Sequence, residues 1–270
     1  MPSRANQADL LTSKRELKEQ YRDNSNLNAR SAIYRYGVNS AAPWPRWVFD
    51  QLAPSRLSAD ARVLEVGCGD GALWRKNLDR LPDGWKLVLT DLSPGMLAAA
   101  RADLPFPCVR CNAERIALPD ATCHAVVANH MLYHVPDRPR ALAEIRRVLV
   151  PGGRLLAATN GDGHLAAITA LINEFMTSTS PFTQGMPFSL ENGEAQLRAF
   201  FPRVSVQRLQ GELRVTDPAA VVAYVMSVTG APEQINGPRR DDLWTRVRDE
   251  IARAGAFVVR TDAGLFEAMK

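Results

Sequence analysis

The feature that most constrains the fold of this chain is an alternation of short apolar runs with helical patterns between residues 62 and 159. The apolar runs are RVLEV (62–66), KLVLTD (86–91), FPCVR (106–110), HAVVAN (124–129) and RLLAAT (154–159). Nearly continuous apolar runs of this length are typical of parallel strands buried on both faces. Because strand–helix alternation builds a parallel sheet with helices on its faces, the pattern predicts a doubly wound α/β sheet.

Outside this block the patterns are weaker. Residues 6–37 indicate one or two helices, and helical patterns recur at 164–176, 190–201, 217–228 and 239–253. Pro218 directly after Asp217 is a favourable start for the third of these helices. A strand is predicted at 203–209, and the ending AFVVRTDAGLFEAM predicts a strand, a turn and a second strand.

Composition excludes several classes of protein. The 270 residues are 46% hydrophobic and 23% charged, which excludes a disordered, collagenous or coiled-coil chain. A net charge of +4, with mixed charges on the helix at 239–253, disfavours a nucleic-acid partner. No secretory leader and no apolar run near 18 residues is seen, so we expect a cytoplasmic protein without a membrane partner. Four cysteines in a chain this long do not form a disulfide scaffold.

The first apolar run ends in a glycine-rich turn, Gly67-Cys68-Gly69-Asp70-Gly71, which precedes a helical pattern. Glycine permits backbone conformations and close approaches that a Cβ atom forbids. The free N–H groups where a helix begins can also bind a ligand. Together with Ala72, the turn (GCGDGA, 67–72) fits the loose dinucleotide pattern G-x-G-x-x-G/A. This is a weak signal by itself, because glycines also simply reverse a chain.

Asp91 strengthens this interpretation because it ends the second apolar run, where an α/β nucleotide site places a carboxylate for ribose hydroxyls. The following Leu92-Ser93-Pro94 also makes Asp91 part of a helix-capping region. The two roles are compatible, since the carboxyl end of a strand faces the ligand crevice.

Four segments together resemble the class I S-adenosylmethionine-dependent methyltransferases, particularly their small-molecule branch. They are LEVGCGDG (64–71), LTDLSPGMLAAAR (89–101), CNAERIALPDATCHAVVANHMLYHVPD (111–137) and RALAEIRRVLVPGGRLLAAT (140–159), in the family's order and spacing. The resemblance implies a Rossmann-like, seven-stranded sheet, mostly parallel with one antiparallel strand, and a Pro-Gly-Gly turn before the fifth strand.

The resemblance also implies a cofactor, S-adenosyl-L-methionine, and its product S-adenosyl-L-homocysteine. The loop with Glu65, Gly67, Cys68 and Gly69 would lie near the methionyl part. The remaining implied contacts are with the ribose (Asp91), the adenine (Leu92, Met96, Asn112 and Ala113) and the amino-acid end (Asn129). Two positions depart from the family pattern: Asn112 replaces the usual Asp, and Cys123-His124 replaces the usual Phe-Asp. An Asn carbonyl can still accept a hydrogen bond from the adenine amino group.

His130 and His134 follow the fourth strand, four residues apart. This is zinc-ligand spacing on a helix, but Met131 replaces the Glu of the hydrolytic motif and no third ligand is evident, so no metal is predicted. A general-base role is one interpretation, because histidine accepts protons near neutral pH. Packing without chemistry is the other. The pair Cys108 and Cys111 is expected to be structural.

Aromatic and apolar residues outside the motif block are candidates for an acceptor pocket. The candidates are Tyr21, Tyr34, Tyr133, Phe175 and Met176. We expect residues 1–55 to form an N-terminal helical cap on a methyltransferase domain at 56–270, with 160–190 as a lid insert in one structural domain. Plain packing of a helical layer is the competing interpretation.

The resulting hypothesis is a methyltransferase that moves a methyl group to an O, N or C atom of a small molecule, for example in natural-product or secondary metabolism. An RNA methyltransferase, an NAD-dependent oxidoreductase and a non-catalytic cofactor-binding protein are the alternatives. The oligomeric state is left open by the sequence.

Overall fold

The computed structural model describes residues 11–13, 17, 19–38, 43–52, 57–176 and 186–270. Its strands are β1 (Arg62–Val66), β2 (Lys86–Asp91), β3 (Cys108–Arg110), β4 (Cys123–Asn129), β5 (Leu149–Asn160), β6 (Arg203–Val215) and β7 (Phe257–Met269). They form a seven-stranded sheet in the order β3-β2-β1-β4-β5-β7-β6. The first five strands pair in parallel, and β7 runs antiparallel, so the predicted fold class is confirmed.

The helices are α1 (Ser25–Ser31), α2 (Trp44–Leu52), α3 (Ala72–Arg75), α4 (Pro94–Asp103), α5 (Arg138–Val148), α6 (Ala166–Phe175), α7 (Gly193–Arg198), α8 (Pro218–Met226), α9 (Ala231–Gln234) and α10 (Pro238–Ala254). Short 3₁₀ turns lie at Ala32–Tyr36, Leu78–Arg80 and Leu132–His134. The helix start predicted at Pro218 is confirmed, and the Asp217 side chain accepts a hydrogen bond from the Ala219 N–H. The capping satisfies a backbone donor that the helix itself cannot pair.

Strand order explains where a ligand crevice belongs. The chain passes from β1 to β2 on one side, and later returns to place β4 on the other side of β1. Ligands of doubly wound sheets bind at such a switch point, outside the carboxyl ends of the strands. In this protein those ends lead into the glycine turn after Val66, into Asp91, and into Asn129.

The chain divides into two compact units. Unit I comprises residues 41–160, 187–208 and 264–270, and unit II comprises residues 1–40, 161–186 and 209–263. Each unit has its own buried apolar cluster: that of unit I includes Phe49, Trp74 and Leu89, and that of unit II includes Ile172 and Leu243. The predicted cap boundary at residue 55 and the single-domain organisation stay predictions, and residues 177–185 of the expected lid lie outside the described residues.

The C-terminal prediction of a strand, a turn and a strand is wrong, because residues 257–269 form one continuous strand. Gly264 lies in the middle of β7. A Cβ atom at this position would be 2.6 Å from the Gln207 carbonyl oxygen of the neighbouring strand. The glycine therefore permits a close approach between two strands and does not reverse the chain.

The prediction of a Pro-Gly-Gly turn before the fifth strand is also wrong. Pro151, Gly152 and Gly153 lie inside β5, where the pairing with β4 shifts register between Cys123 and Ala125. Gly152 has a φ of 74°, a conformation that glycine adopts without strain. The two glycines therefore form an irregularity within the strand.

Candidate active site

The glycine loop connects β1 to α3 through three left-handed glycines. Gly67, Gly69 and Gly71 have φ angles of 67°, 57° and 77°. The Cys68 N–H donates to the Thr90 carbonyl oxygen at 2.9 Å, which ties the loop to β2. The helix that follows has only four residues, and its Ala72 N–H is bonded to Asp70 Oδ1 at 3.2 Å. The helix start that the sequence suggested for ligand binding is therefore short, and its Ala72 N–H is already paired.

Asp91 faces this loop from the end of β2. Its Oδ2 accepts a hydrogen bond from the Gly69 N–H at 2.9 Å, and its Oδ1 accepts one from the Ser93 N–H at 2.8 Å. Burial raises the pKa of the Asp91 carboxyl, and the backbone N–H groups oppose that shift. Each carboxylate oxygen retains lone pairs for a further donor. The residue that caps α4 is Ser93, whose Oγ accepts a hydrogen bond from the Met96 N–H at 3.2 Å.

Glu65 is a buried carboxyl next to the loop, with only 1% of its surface exposed. Its Oε2 accepts a hydrogen bond from the Trp74 indole at 2.6 Å. Burial raises the pKa of Glu65 to about 8, with the nearby carboxylates of Asp91 and Asp70 adding to the shift and the indole opposing it. Burial likewise raises the pKa of the Cys68 thiol, so this cysteine is a poor nucleophile.

The segment after β4 packs directly on the glycine loop. A Cβ atom at Gly67 would lie 2.7 Å from the Met131 Cβ, so only glycine permits this contact. The neighbouring His130 has a φ of 56°, which is rare for a residue with a side chain, and its N–H donates to the Ala158 carbonyl oxygen at 3.2 Å. Strained backbone of this kind persists only where the surrounding structure enforces it.

Both candidate base residues lie near the Tyr133 ring. The ring centroids of Tyr133 and His134 are 4.5 Å apart with an edge-on geometry, and those of Tyr133 and His130 are 6.5 Å apart. Tyr133 is 9% exposed, so most of its ring is buried. The structure therefore brings His130, Tyr133 and His134 together in one aromatic group after β4.

Trp44 is a site residue that the sequence reasoning missed. It begins α2, and its indole Nε1 donates to Asn129 Oδ1 at 3.1 Å. Its ring centroid lies 4.9 Å from that of His130. Trp44 precedes Trp47 and Val48 of the same helix by three and four residues, a spacing that places the three side chains on one helix face. That helical spacing is the signal that could have placed Trp44 on the same side.

The predicted adenine-binding residues differ in exposure. Leu92 is 46% exposed directly beside Asp91, whereas Met96 is 1% exposed and Ala113 is 7% exposed. Asn112 Oδ1 accepts a hydrogen bond from the Glu114 N–H at 3.0 Å, and its Nδ2 donates to Glu114 Oε2 at 3.2 Å. Leu92 offers an exposed apolar surface, and contact of all four residues with an adenine stays a prediction.

The unusual Cys123-His124 pair has structural contacts. The Cys123 side chain is buried, and His124 Nδ1 accepts a hydrogen bond from the Arg62 N–H at 3.0 Å at the start of β1. All four cysteines are free thiols. In the part of the chain that the structure describes, no group of three His, Cys, Asp or Glu side chains could hold a metal ion.

Four of the five predicted acceptor-pocket residues belong to unit II. Phe175 and Met176 are 8% and 7% exposed and lie in the apolar cluster of that unit. The Tyr34 hydroxyl is hydrogen-bonded to His164 Nε2 at 3.0 Å, and the Arg30 guanidinium lies 5.6 Å from the centre of the Tyr21 ring. Burial lowers the pKa of His164 to about 4, so this imidazole is neutral at physiological pH. Contact of these residues with an acceptor stays a prediction.

Comparison with known proteins identifies residues 64–157 as a methyltransferase domain. A demethylmenaquinone methyltransferase of Symbiobacterium thermophilum is 34% identical over 127 residues, which are 44% of this chain and 50% of that protein. An uncharacterised methyltransferase of Mycobacterium tuberculosis is 29% identical over 197 residues, 66% of this chain and 98% of that protein. The chain spans about half the length of the first two curated relatives it matches.

Among solved structures, a phosphoethanolamine N-methyltransferase 2 of Haemonchus contortus in complex with S-adenosyl-L-methionine shares the fold. Its TM-score is 0.57 at 18% identity, and the similarity covers 98% of this chain and 60% of that one. No helix among the described residues is long and apolar enough to span a membrane.

Proposed function

Residues 64–157 of this chain are a class I S-adenosylmethionine-dependent methyltransferase domain, and from that premise we propose that the protein transfers a methyl group to an O, N or C atom of a small-molecule acceptor. The observation that carries the proposal is the Asp91 carboxylate bonded to the Gly69 N–H, in a loop that Met131 packs against. S-adenosylmethionine has a nucleoside group and an amino-acid group. Its binding needs a carboxylate for the ribose hydroxyls directly beside a loop that the amino-acid part can approach closely.

The residues present fit S-adenosylmethionine. Asp91 has carboxylate lone pairs for the two ribose hydroxyls, and the exposed Leu92 beside it offers an apolar face to the adenine. The left-handed glycine loop lets a ligand approach the backbone closely. Asn129 would bind at the amino-acid end, with Asn112 and Ala113 at the adenine edge.

When bound, the cofactor supplies a methyl group already activated on a sulfonium. The task left to the protein is to hold the acceptor atom in line with the sulfur–methyl bond and to exclude water. Positioning alone can supply roughly 7–11 kcal/mol of the barrier reduction. A base is required only where the acceptor atom must lose a proton during the attack.

His130 and His134 are the proposed bases, since both lie in the aromatic group after β4. We expect His130→Ala or His134→Ala to lower kcat about 10²–10⁴-fold on an acceptor that must lose a proton, because general-base catalysis contributes that much. The measurement is steady-state kinetics of both single variants and of the double variant. An unchanged kcat in all three would remove the base assignment and leave a packing role.

A small-molecule acceptor is supported by the name of the demethylmenaquinone methyltransferase relative and by the mixed charges of α10. Along that helix Arg246, Arg248 and Arg253 are each paired with an acidic side chain. Paired charges do not form the basic stripe that binding to a nucleic-acid backbone requires.

The experiment that tests the proposal follows radiolabelled methyl from S-adenosylmethionine into a cell extract separated into small-molecule and RNA fractions. Label in the small-molecule fraction, lost with the Asp91→Ala variant, is the expected result. Label confined to RNA would favour the RNA methyltransferase alternative. No label in either fraction, with intact binding of S-adenosylhomocysteine, would favour the non-catalytic alternative.

A further inference from the structure

Trp44 contacts two consecutive residues of the candidate site. Its indole N–H donates to Asn129 Oδ1 at 3.1 Å, and its ring packs against the His130 imidazole with 4.9 Å between centroids. All three residues belong to unit I. A second indole, that of Trp47 in the same helix, has its ring centroid 5.1 Å from that of Trp44. The position of Trp44 is therefore set by aromatic packing as well as by the hydrogen bond.

The hydrogen bond decides what Asn129 presents to a ligand. A carboxamide has an acceptor oxygen and a donor NH2 group, and an indole N–H can only donate. Trp44 therefore holds the Asn129 oxygen and leaves the NH2 group directed elsewhere. None of the described residues accepts a hydrogen bond from Asn129 Nδ2. Such an NH2 group can donate a hydrogen bond to an anionic oxygen of a ligand, whereas it would repel an ammonium group.

We propose that Trp44 is a positioning residue, which fixes the Asn129 carboxamide with its NH2 group toward the carboxylate of the cofactor's amino-acid end. The inference rests on the proposed function, since it requires a cofactor with an amino-acid end. In this arrangement Asn129 donates a hydrogen bond to the carboxylate, and Trp44 enforces the orientation of Asn129.

Trp44→Phe tests the hydrogen bond and retains a ring against His130. Trp47→Phe is the matched control, because it makes the same replacement three residues along the same helix. Binding of S-adenosylhomocysteine and of its decarboxylated analogue would be measured by calorimetry on the full chain. Circular dichroism and thermal unfolding would verify that each variant is folded.

We expect Trp44→Phe to raise the Kd of S-adenosylhomocysteine about tenfold, the effect of a misplaced hydrogen bond to a charged group. The Kd of the decarboxylated analogue should be unchanged, because the group that Asn129 binds is absent. Trp47→Phe should change neither value. Asn129→Ala should weaken binding of S-adenosylhomocysteine, and adding Trp44→Phe to it should have no further effect, because both variants remove one shared interaction.

The possible failures are distinguishable. If the unaltered protein does not bind S-adenosylhomocysteine, the proposed function fails and this inference fails with it. If the unaltered protein binds and Trp44→Phe binds equally well, the inference alone is wrong. Equal weakening of both ligands by Trp44→Phe would identify a general structural role and would also overturn the inference.

Discussion

Glu65 shows how a single residue beside the site couples protonation to stability. The carboxyl is buried against the Trp74 indole, and its pKa is raised from 4.5 to about 8. Below pH 4.5 the carboxyl is protonated in both the folded and the unfolded chain. Between about pH 4.5 and 8 the unfolded chain loses this proton while the folded protein retains it, so this group's contribution makes the protein less stable as the pH rises.

Glu65→Gln removes that titration and keeps an amide oxygen for the Trp74 N–H. We therefore expect the variant to gain stability relative to the unaltered protein as the pH rises from about 4.5 to 8, by at most about 1.4 kcal/mol per pH unit. Urea unfolding at several pH values measures the difference. The same replacement at the exposed Glu233 is the control. A difference that does not vary with pH would show that Glu65 is ionised throughout this range.

At the scale of elements, the contact between the glycine loop and the segment after β4 holds the candidate site together. Gly67→Ala would place a Cβ 2.7 Å from the Met131 Cβ and impose a φ of 67° on an alanine. One of the two segments must move, so we expect the Kd of S-adenosylhomocysteine to rise more than tenfold. Calorimetry measures the Kd, and thermal unfolding measures the stability of the variant.

Gly152→Ala is the matched control for Gly67→Ala. Gly152 has a similar φ of 74°, but no atom lies within 4 Å of the position of its Cβ. This variant should lose about 1–2 kcal/mol of stability from the left-handed backbone alone and bind S-adenosylhomocysteine normally. Equal effects of the two replacements on binding would show that the contact with Met131 is unimportant.

The elements that the sequence predicts best are those with a purely local signal. The apolar run 62–66 coincides with β1 and the run 86–91 with β2, because a strand buried on both faces has a simple apolar pattern. The turn predicted within residues 257–269 is wrong because a glycine that turns the chain and one, such as Gly264, that permits the close approach of a neighbouring strand have the same sequence signal. Trp44 was missed because its partners Asn129 and His130 lie 85 and 86 positions away in the chain.

At the scale of the whole molecule, all the predicted cofactor-binding residues belong to unit I, and most of the acceptor-pocket candidates belong to unit II. We therefore expect a cavity in the apolar core of unit II to lower the stability of the protein without changing the affinity for the cofactor. Leu243→Ala, at a fully buried position of α10, should cost about 2–5 kcal/mol. The Kd of S-adenosylhomocysteine, measured well below the unfolding temperature, should stay unchanged.

Leu89→Ala provides the comparison in unit I. Leu89 is equally buried, and it lies in β2 two residues before Asp91. A cavity there should lower stability by a similar amount and also weaken binding of S-adenosylhomocysteine, because the strand that positions Asp91 is disturbed. If Leu243→Ala weakens binding as much as Leu89→Ala does, the cofactor site depends on both units.

We propose that the glycine loop and Asp91 bind S-adenosylmethionine and its product. The decisive experiment is calorimetry with S-adenosylhomocysteine and with NAD, on the unaltered protein and on Asp91→Ala. We expect micromolar binding of S-adenosylhomocysteine, a loss of most of that affinity in Asp91→Ala, and no binding of NAD. Micromolar binding of NAD with no binding of S-adenosylhomocysteine would contradict it.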